Sequence, residues 1–145
     1  MNSVPTPSNS TPSPIAIPRS SSIAIVDDDE SVRQALKSLL GSVGLHAETF
    51  ASGEEFLDSS YLSHTDCLIA DVRMPGMSGL ELQDRLKAAN SPIPIIFISA
   101  HDDGEARTRG LRAGAVDFLQ KPFSEDSLLR AISTCLEKGS TKGNL

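Results

Sequence analysis

Along this chain, short runs that are apolar throughout alternate with stretches whose apolar residues recur at helical spacing. Residues 23–26 form a compact run rich in β-branched side chains, which predicts a buried strand. Val32, Ala35, Leu36, Leu39, Leu40 and Val43 then predict a helix over 31–43, ended by Gly44. Residues 46–50 predict a weaker second strand. Ser52-Gly-Glu-Glu55 has the form of a capping box and opens a short helix carrying Phe56 and Leu57. Residues 67–70 are the third apolar run. The turn-rich loop 74–79 leads into a second capping box, Ser78-Gly-Leu-Glu81, and a helix to about 89. Pro92 and Pro94 introduce the most hydrophobic strand, 95–98. A helix over 105–113 has little apolar content and stops at Gly114. A fifth strand is predicted at 116–119 and a last helix, acidic in its first turn, at 124–136.

Strands apolar on both faces, alternating with amphipathic helices, imply a parallel sheet covered on both sides by right-handed crossovers. The predicted fold is therefore α/β: a doubly wound five-stranded parallel sheet of order 2-1-3-4-5, flanked by five helices. In such sheets the ligand site lies at the carboxyl ends of the strands, near the switch point. Residues 1–20 break the texture, being built from Ser, Thr, Pro and Asn, with five of the nine prolines at positions 5, 7, 12, 14 and 18. They predict a disordered Ser/Pro-rich tail. The folded domain is expected over 21–138, followed by a short flexible tail, 139–145.

Charge narrows the classes further. The chain carries 13 basic and 19 acidic residues, a net of −6. Arg19 is the single charge in residues 1–20, which leaves twelve basic against nineteen acidic in the rest, a net of −7. That balance argues against a binder of nucleic acid or anionic membranes. No run of about 18 apolar residues offers a membrane span, and the N-terminus lacks the basic and apolar regions of a secretory signal. Cys67 and Cys135 have no CxxC spacing and read as small buried apolar side chains, in keeping with a cytoplasmic protein.

Applied residue by residue, the strand-end rule gathers chemistry. The first strand ends in Asp27-Asp28-Asp29-Glu30, the third in Asp71, the fourth in Ser99, and the fifth is followed by Lys121-Pro122. Each has a plainer reading: Asp29 and Glu30 suit a helix N-terminus, a lone Asp suits a turn, and Lys121 suits the solvated surface. Convergence on four strand ends favours a site. Crowded carboxylates with hard oxygen donors suit Mg²⁺, with Mn²⁺ able to substitute. Carboxylate, metal and Lys suffice for phosphoryl transfer, in which positioning and charge neutralisation do most of the work. Asp71 would be the nucleophile, with Lys121 and the Ser99 hydroxyl as partners of the new phosphate oxygens.

Residues 22–138 resemble the receiver domain of two-component response regulators, the CheY-like superfamily. IVDDDESVR resembles its acidic pair, DVRMPGMSGLEL its phosphoacceptor loop, ISA its switch hydroxyl and AVDFLQKPF its Lys-Pro signature. The local sequence is most similar to FixJ-type receivers. The resemblance implies Asp71 as phosphoacceptor and Mg²⁺ held by Asp27, Asp28, Asp71 and the backbone carbonyl of Arg73. It implies Ser99 drawn to the phosphate, Phe118 rotating inward, a cis Lys121-Pro122 peptide and a reshaped surface on the fourth helix, fifth strand and fifth helix. The implied partners are a histidine kinase or phosphotransfer protein and a downstream target or output domain; a phosphorylation-dependent homodimer is a further option. Direct nucleic-acid or membrane binding is not implied, and catalysis is confined to the chain's own phosphorylation and dephosphorylation. Ser99 departs from the commoner Thr, and Arg73 and His101 occupy positions that influence phosphate lifetime in the family.

Other readings fit less well. A phosphatase of the haloacid-dehalogenase type needs a second Asp two residues after its nucleophile, where this chain has Arg73. A flavodoxin-like flavin carrier would not cradle a phosphate on Asp-Asp-Asp-Glu. A pseudo-receiver would be expected to have lost the acidic pair, Asp71 or Lys121. After Leu136 the sequence reads only EKGSTKGNL. Two expectations stay open: a stand-alone receiver, or the receiver part of a longer FixJ-type DNA-binding regulator.

Overall fold

The computed structural model describes residues 21–143, with side chains described to Lys138. The tail expected over 1–20 lies outside the described residues. The elements alternate strictly in chain order: β1 (Ser22–Val26), α1 (Glu30–Ser42), β2 (His46–Phe50), α2 (Gly53–Leu57), β3 (Cys67–Asp71), α3 (Gly79–Ala88), β4 (Ile95–Ser99), α4 (Gly104–Arg112), β5 (Asp117–Gln120) and α5 (Glu125–Gly143). A short 3₁₀ turn, Ser60–His64, precedes β3; its spacing carries no apolar periodicity, and the sequence does not announce it.

All strand pairings are parallel, and the order is β2-β1-β3-β4-β5 as expected. Successive side chains of a strand point to opposite faces, so each central strand feeds two cores. Ala24, Val26, Leu68, Ala70, Phe97 and Phe118 pack with Phe56 of α2, Leu82 of α3 and Ala106 of α4. Ile23, Ile25, Ile69, Ile96 and Ile98 pack with Leu40 of α1 and Leu128 and Ile132 of α5. Burial on both faces is why these strands read as continuous apolar runs. The edge strand β2, half-buried along most of its length, reads as the weaker one.

Caps place the helix starts. Asp29 caps α1, its carboxylate accepting from the Ser31 N–H at 2.9 Å, the helix-terminus role expected of it. Ser78 and Glu81 form a complete reciprocal capping box on α3. In α2 the Ser52 hydroxyl accepts from Glu55 N–H, but the Glu55 carboxylate reaches Ala51 N–H, one residue before the cap. Helical backbone continues to Gly143, beyond Leu136, where the apolar periodicity stops, and through much of the expected C-terminal tail.

Candidate functional site

The carboxyl ends of β1, β3 and β5 bring Asp27, Asp28, Asp71 and Lys121 together. Carboxylate oxygens of Asp27, Asp28 and Asp71 lie within 4.8 Å of one another. Asp27 is fully buried and Asp71 nearly so, while Asp28 is exposed at the rim. Lys121 Nζ stands 3.4 Å from Asp27 Oδ2 and 3.7 Å from Asp71 Oδ2, so one ammonium spans both acids.

Backbone and side-chain donors fix each carboxylate. Asp29 N–H donates to Asp27 Oδ1 at 2.9 Å, and Arg73 N–H donates to Asp71 Oδ1 at 3.1 Å. Arg33, on the first turn of α1, donates from Nη1 to the Asp27 carbonyl at 2.8 Å and so ties the acidic loop to the helix it precedes. Sequence reading missed this residue, because Arg33 looks like any solvated helix cation. It also treated Gly79 only as part of a capping box. A Cβ there would come 2.4 Å from the Asp71 carbonyl oxygen, and Gly79 N–H donates to the Val72 carbonyl at 2.9 Å. Glycine lets the α3 N-terminus close directly on the end of β3.

Burial, reinforced by the neighbouring Asp27 carboxylate, pushes the Asp71 carboxyl up to about 6 from its ordinary 3.8, against the lowering effect of the Arg73 N–H and Lys121. The site therefore holds more negative charge than its own groups offset. Its donors are all oxygens and partly open to solvent, which fits a hard divalent cation and no soft one. The Arg73 carbonyl belongs to the loop that begins at Asp71, while the Arg73 side chain leaves the cluster and pairs with Asp103, the N-cap of α4.

Ser99 adjoins this cluster through its carbonyl, which accepts the Lys121 N–H at 2.7 Å, while its hydroxyl and the Phe118 ring have other partners. The buried Ser99 hydroxyl donates to the His101 carbonyl at 3.0 Å and accepts the His101 N–H at 3.1 Å. Phe118, which the resemblance turns inward on phosphorylation, is already inward here, 4% exposed and beside Phe97. The ring lies inward in this conformation, with the Arg107 guanidinium of α4 over it. The Lys121-Pro122 peptide is cis, as expected, and His101 is exposed in its loop. Cys67 and Cys135 are buried neighbours: burial and the Cys135 thiol raise the Cys67 thiol well above its ordinary range, in line with inert core side chains. A cavity of about 780 Å³ lies at the opposite end of the sheet, around Leu86, Ile93 and Val116, and no site residue lines it.

The model of the response regulator receiver domain family matches residues 23–133. The chain is a response-regulator receiver domain. Among curated relatives, this receiver is similar to the response regulator protein TodT of Pseudomonas putida, 50% identical over 119 residues that cover 82% of this chain and 52% of TodT. Among solved structures it resembles the response regulator StyR, with a TM-score of 0.81 and 44% identity over 86% of this chain and 63% of that one. It also resembles the crystal structure of FixJ-N, with a TM-score of 0.74 and 36% identity, covering 81% of this chain and 94% of that one. The receiver thus spans about half the length of the curated relatives it matches. Among its described residues, no helix is long and apolar enough to cross a membrane.

Proposed function

We propose that this receiver accepts a phosphoryl group on Asp71 from a histidine kinase or phosphotransfer protein and relays the change to a target protein or output domain. The observation that carries the reading is the meeting of three carboxylates with Lys121 at the strand ends. Asp27, Asp28, Asp71 and the Arg73 carbonyl would hold Mg²⁺, or Mn²⁺ in its place. When bound, the cation offsets the charge of donor and acceptor as they approach.

The chain's own groups do the rest. Arg73 N–H fixes one Asp71 oxygen, leaving the other as nucleophile. That oxygen attacks phosphorus; the new P–O bond forms as the P–N bond of phosphohistidine breaks, and the imidazole leaves with the electron pair. Lys121, now placed between Asp27 and Asp71, is within reach of the oxygens of a phosphate on Asp71. Ser99 would exchange its bonds to His101 for one to the phosphate, and the α4-β5-α5 surface would present the result. The chemistry is confined to the receiver's own phosphorylation and hydrolysis.

Acetyl phosphate tests the proposal. Incorporation of one phosphate should require Mg²⁺ and disappear in Asp71→Asn. Labelling that persists in the variant, or proceeds equally well in chelator, would refute it. The chain's span of about half of its relatives favours a second reading of its destination, the receiver part of a longer regulator like the transcriptional regulatory protein FixJ. Joining such an output domain should then make its activity depend on Asp71.

A further inference from the structure

The two halves of the switch are in different states. The Ser99 hydroxyl is engaged with His101, whereas the Phe118 ring is packed inward, its centroid 6.3 Å from that of Phe97. What sits on Phe118 is a residue of α4. Arg107 Nη1 donates to the Phe118 carbonyl at 3.2 Å, and its guanidinium carbon lies 5.7 Å from the centre of the Phe118 ring. One side chain thus grips both the backbone and the ring of the same residue, the second contact being within cation–π range.

The seat of α4 makes that grip geometrically available. Few of its side chains are buried; Ala106 and Gly110 carry its contact with the core. A Cβ on Gly110 would come 2.9 Å from Phe97 Cε2, so glycine lets the helix close on the ring against which Phe118 packs. The helix is also tied by groups other than Arg107. Gln83 Nε2 donates to the Gly110 carbonyl at 3.1 Å, Lys87 Nζ to the Ala113 carbonyl at 3.0 Å, and Arg109 pairs with Asp84 at 3.0 Å. Loss of the Arg107 guanidinium would therefore free the ring while leaving α4 docked.

We infer that Arg107 is a positioning residue that holds Phe118 inward before phosphorylation, so that the aromatic half of the switch is preset and the Ser99 hydroxyl is the half that moves. The role of Ser99 rests on Asp71 being the phosphoacceptor; the hold on Phe118 does not.

The test is ¹⁹F NMR of the full chain carrying 4-fluorophenylalanine at position 118, metal-free and unphosphorylated, with a soluble gadolinium chelate to broaden exposed rings. The parent should show a dominant, little-broadened inward resonance. Arg107→Met keeps much of the apolar stem but removes the cation, and should raise the outward-to-inward ratio about two- to tenfold. Arg107→Lys retains a charge without the planar fork and should fall between the two. A parent dominated by the exposed resonance, or an Arg107→Met spectrum matching the parent, overturns the inference. If circular dichroism shows Arg107→Met unfolded, Arg107→Lys decides by the same comparison. Failure of acetyl phosphate to label Asp71 alongside an Arg107-dependent inward ring would remove the phosphoacceptor reading alone. Normal labelling with a ring indifferent to Arg107 would remove this inference alone.

Discussion

Asp71→Asn should make the metal-free receiver more stable at neutral pH, while removing the group proposed to take phosphate. Burial and the Asp27 carboxylate raise the Asp71 carboxyl from 3.8 to about 6. A raised acid means that the native state binds the proton more tightly than the unfolded chain does. That favourable contribution is complete below the unfolded value near 3.9 and is lost as the pH climbs through about 6. Above that, the ionised carboxylate costs at most about 3 kcal/mol, at roughly 1.36 kcal/mol per pH unit. Contact with solvent reduces this to an expected 1–2 kcal/mol, an order-of-magnitude figure. Asparagine keeps the oxygen that accepts the Arg73 N–H and loses the charge. Urea unfolding in chelator should show the variant more stable at pH 7.5 by about 1–2 kcal/mol, with the gain shrinking to near zero by about pH 4. Adding Mg²⁺ should stabilise the parent more than the variant, because binding to the native state alone raises stability. A variant no more stable than the parent at pH 7.5, or a gain that does not change with pH, would refute the account of charge crowding at Asp71.

Gly79→Ala should cost about 1–3 kcal/mol in urea unfolding, because the new Cβ meets backbone 2.4 Å away and cannot be accommodated by a side-chain rotation. It should also slow labelling by acetyl phosphate, since the displaced backbone belongs to Asp71 and Val72. Ser78→Ala removes one arm of the α3 capping box and should cost about 1 kcal/mol with labelling retained; a loss of labelling would show that the cap does more than start the helix. Lys121→Ala should leave Mg²⁺ binding intact by calorimetry, the carboxylates being untouched, but uncouple phosphorylation from partner binding. Normal activation in that variant would reduce Lys121 to a charge-balancing role. Arg33→Ala should weaken Mg²⁺ binding severalfold by freeing the Asp27 carbonyl from α1, and unchanged affinity would show that the acidic loop holds its shape unaided.

Periodicity, caps and turn residues determined the strands and α-helices of this protein, though not the 3₁₀ turn at Ser60–His64, because burial on one helical face or on both strand faces leaves a local trace in the order of residues. The continuous runs of β1, β3 and β4 announced a parallel sheet covered twice, and from that sheet the strand-end rule brought Asp27, Asp28, Asp71 and Lys121 to one place. The cap at Ser78 was legible for the same reason: its partners lie within one turn. Contacts between residues distant in sequence leave no such trace. That Arg33 reaches the Asp27 carbonyl, that Gly79 is pressed against β3, that Cys67 meets Cys135, and that the Arg73 side chain turns to Asp103 depend on how helices settle on the sheet. The switch pair divides along this line. Sequence placed Ser99 and Phe118 at the ends of β4 and on β5, but only the docking of α4, with Gly110 against Phe97 and Arg107 over Phe118, decided that the ring lies inward while the hydroxyl is still held by His101.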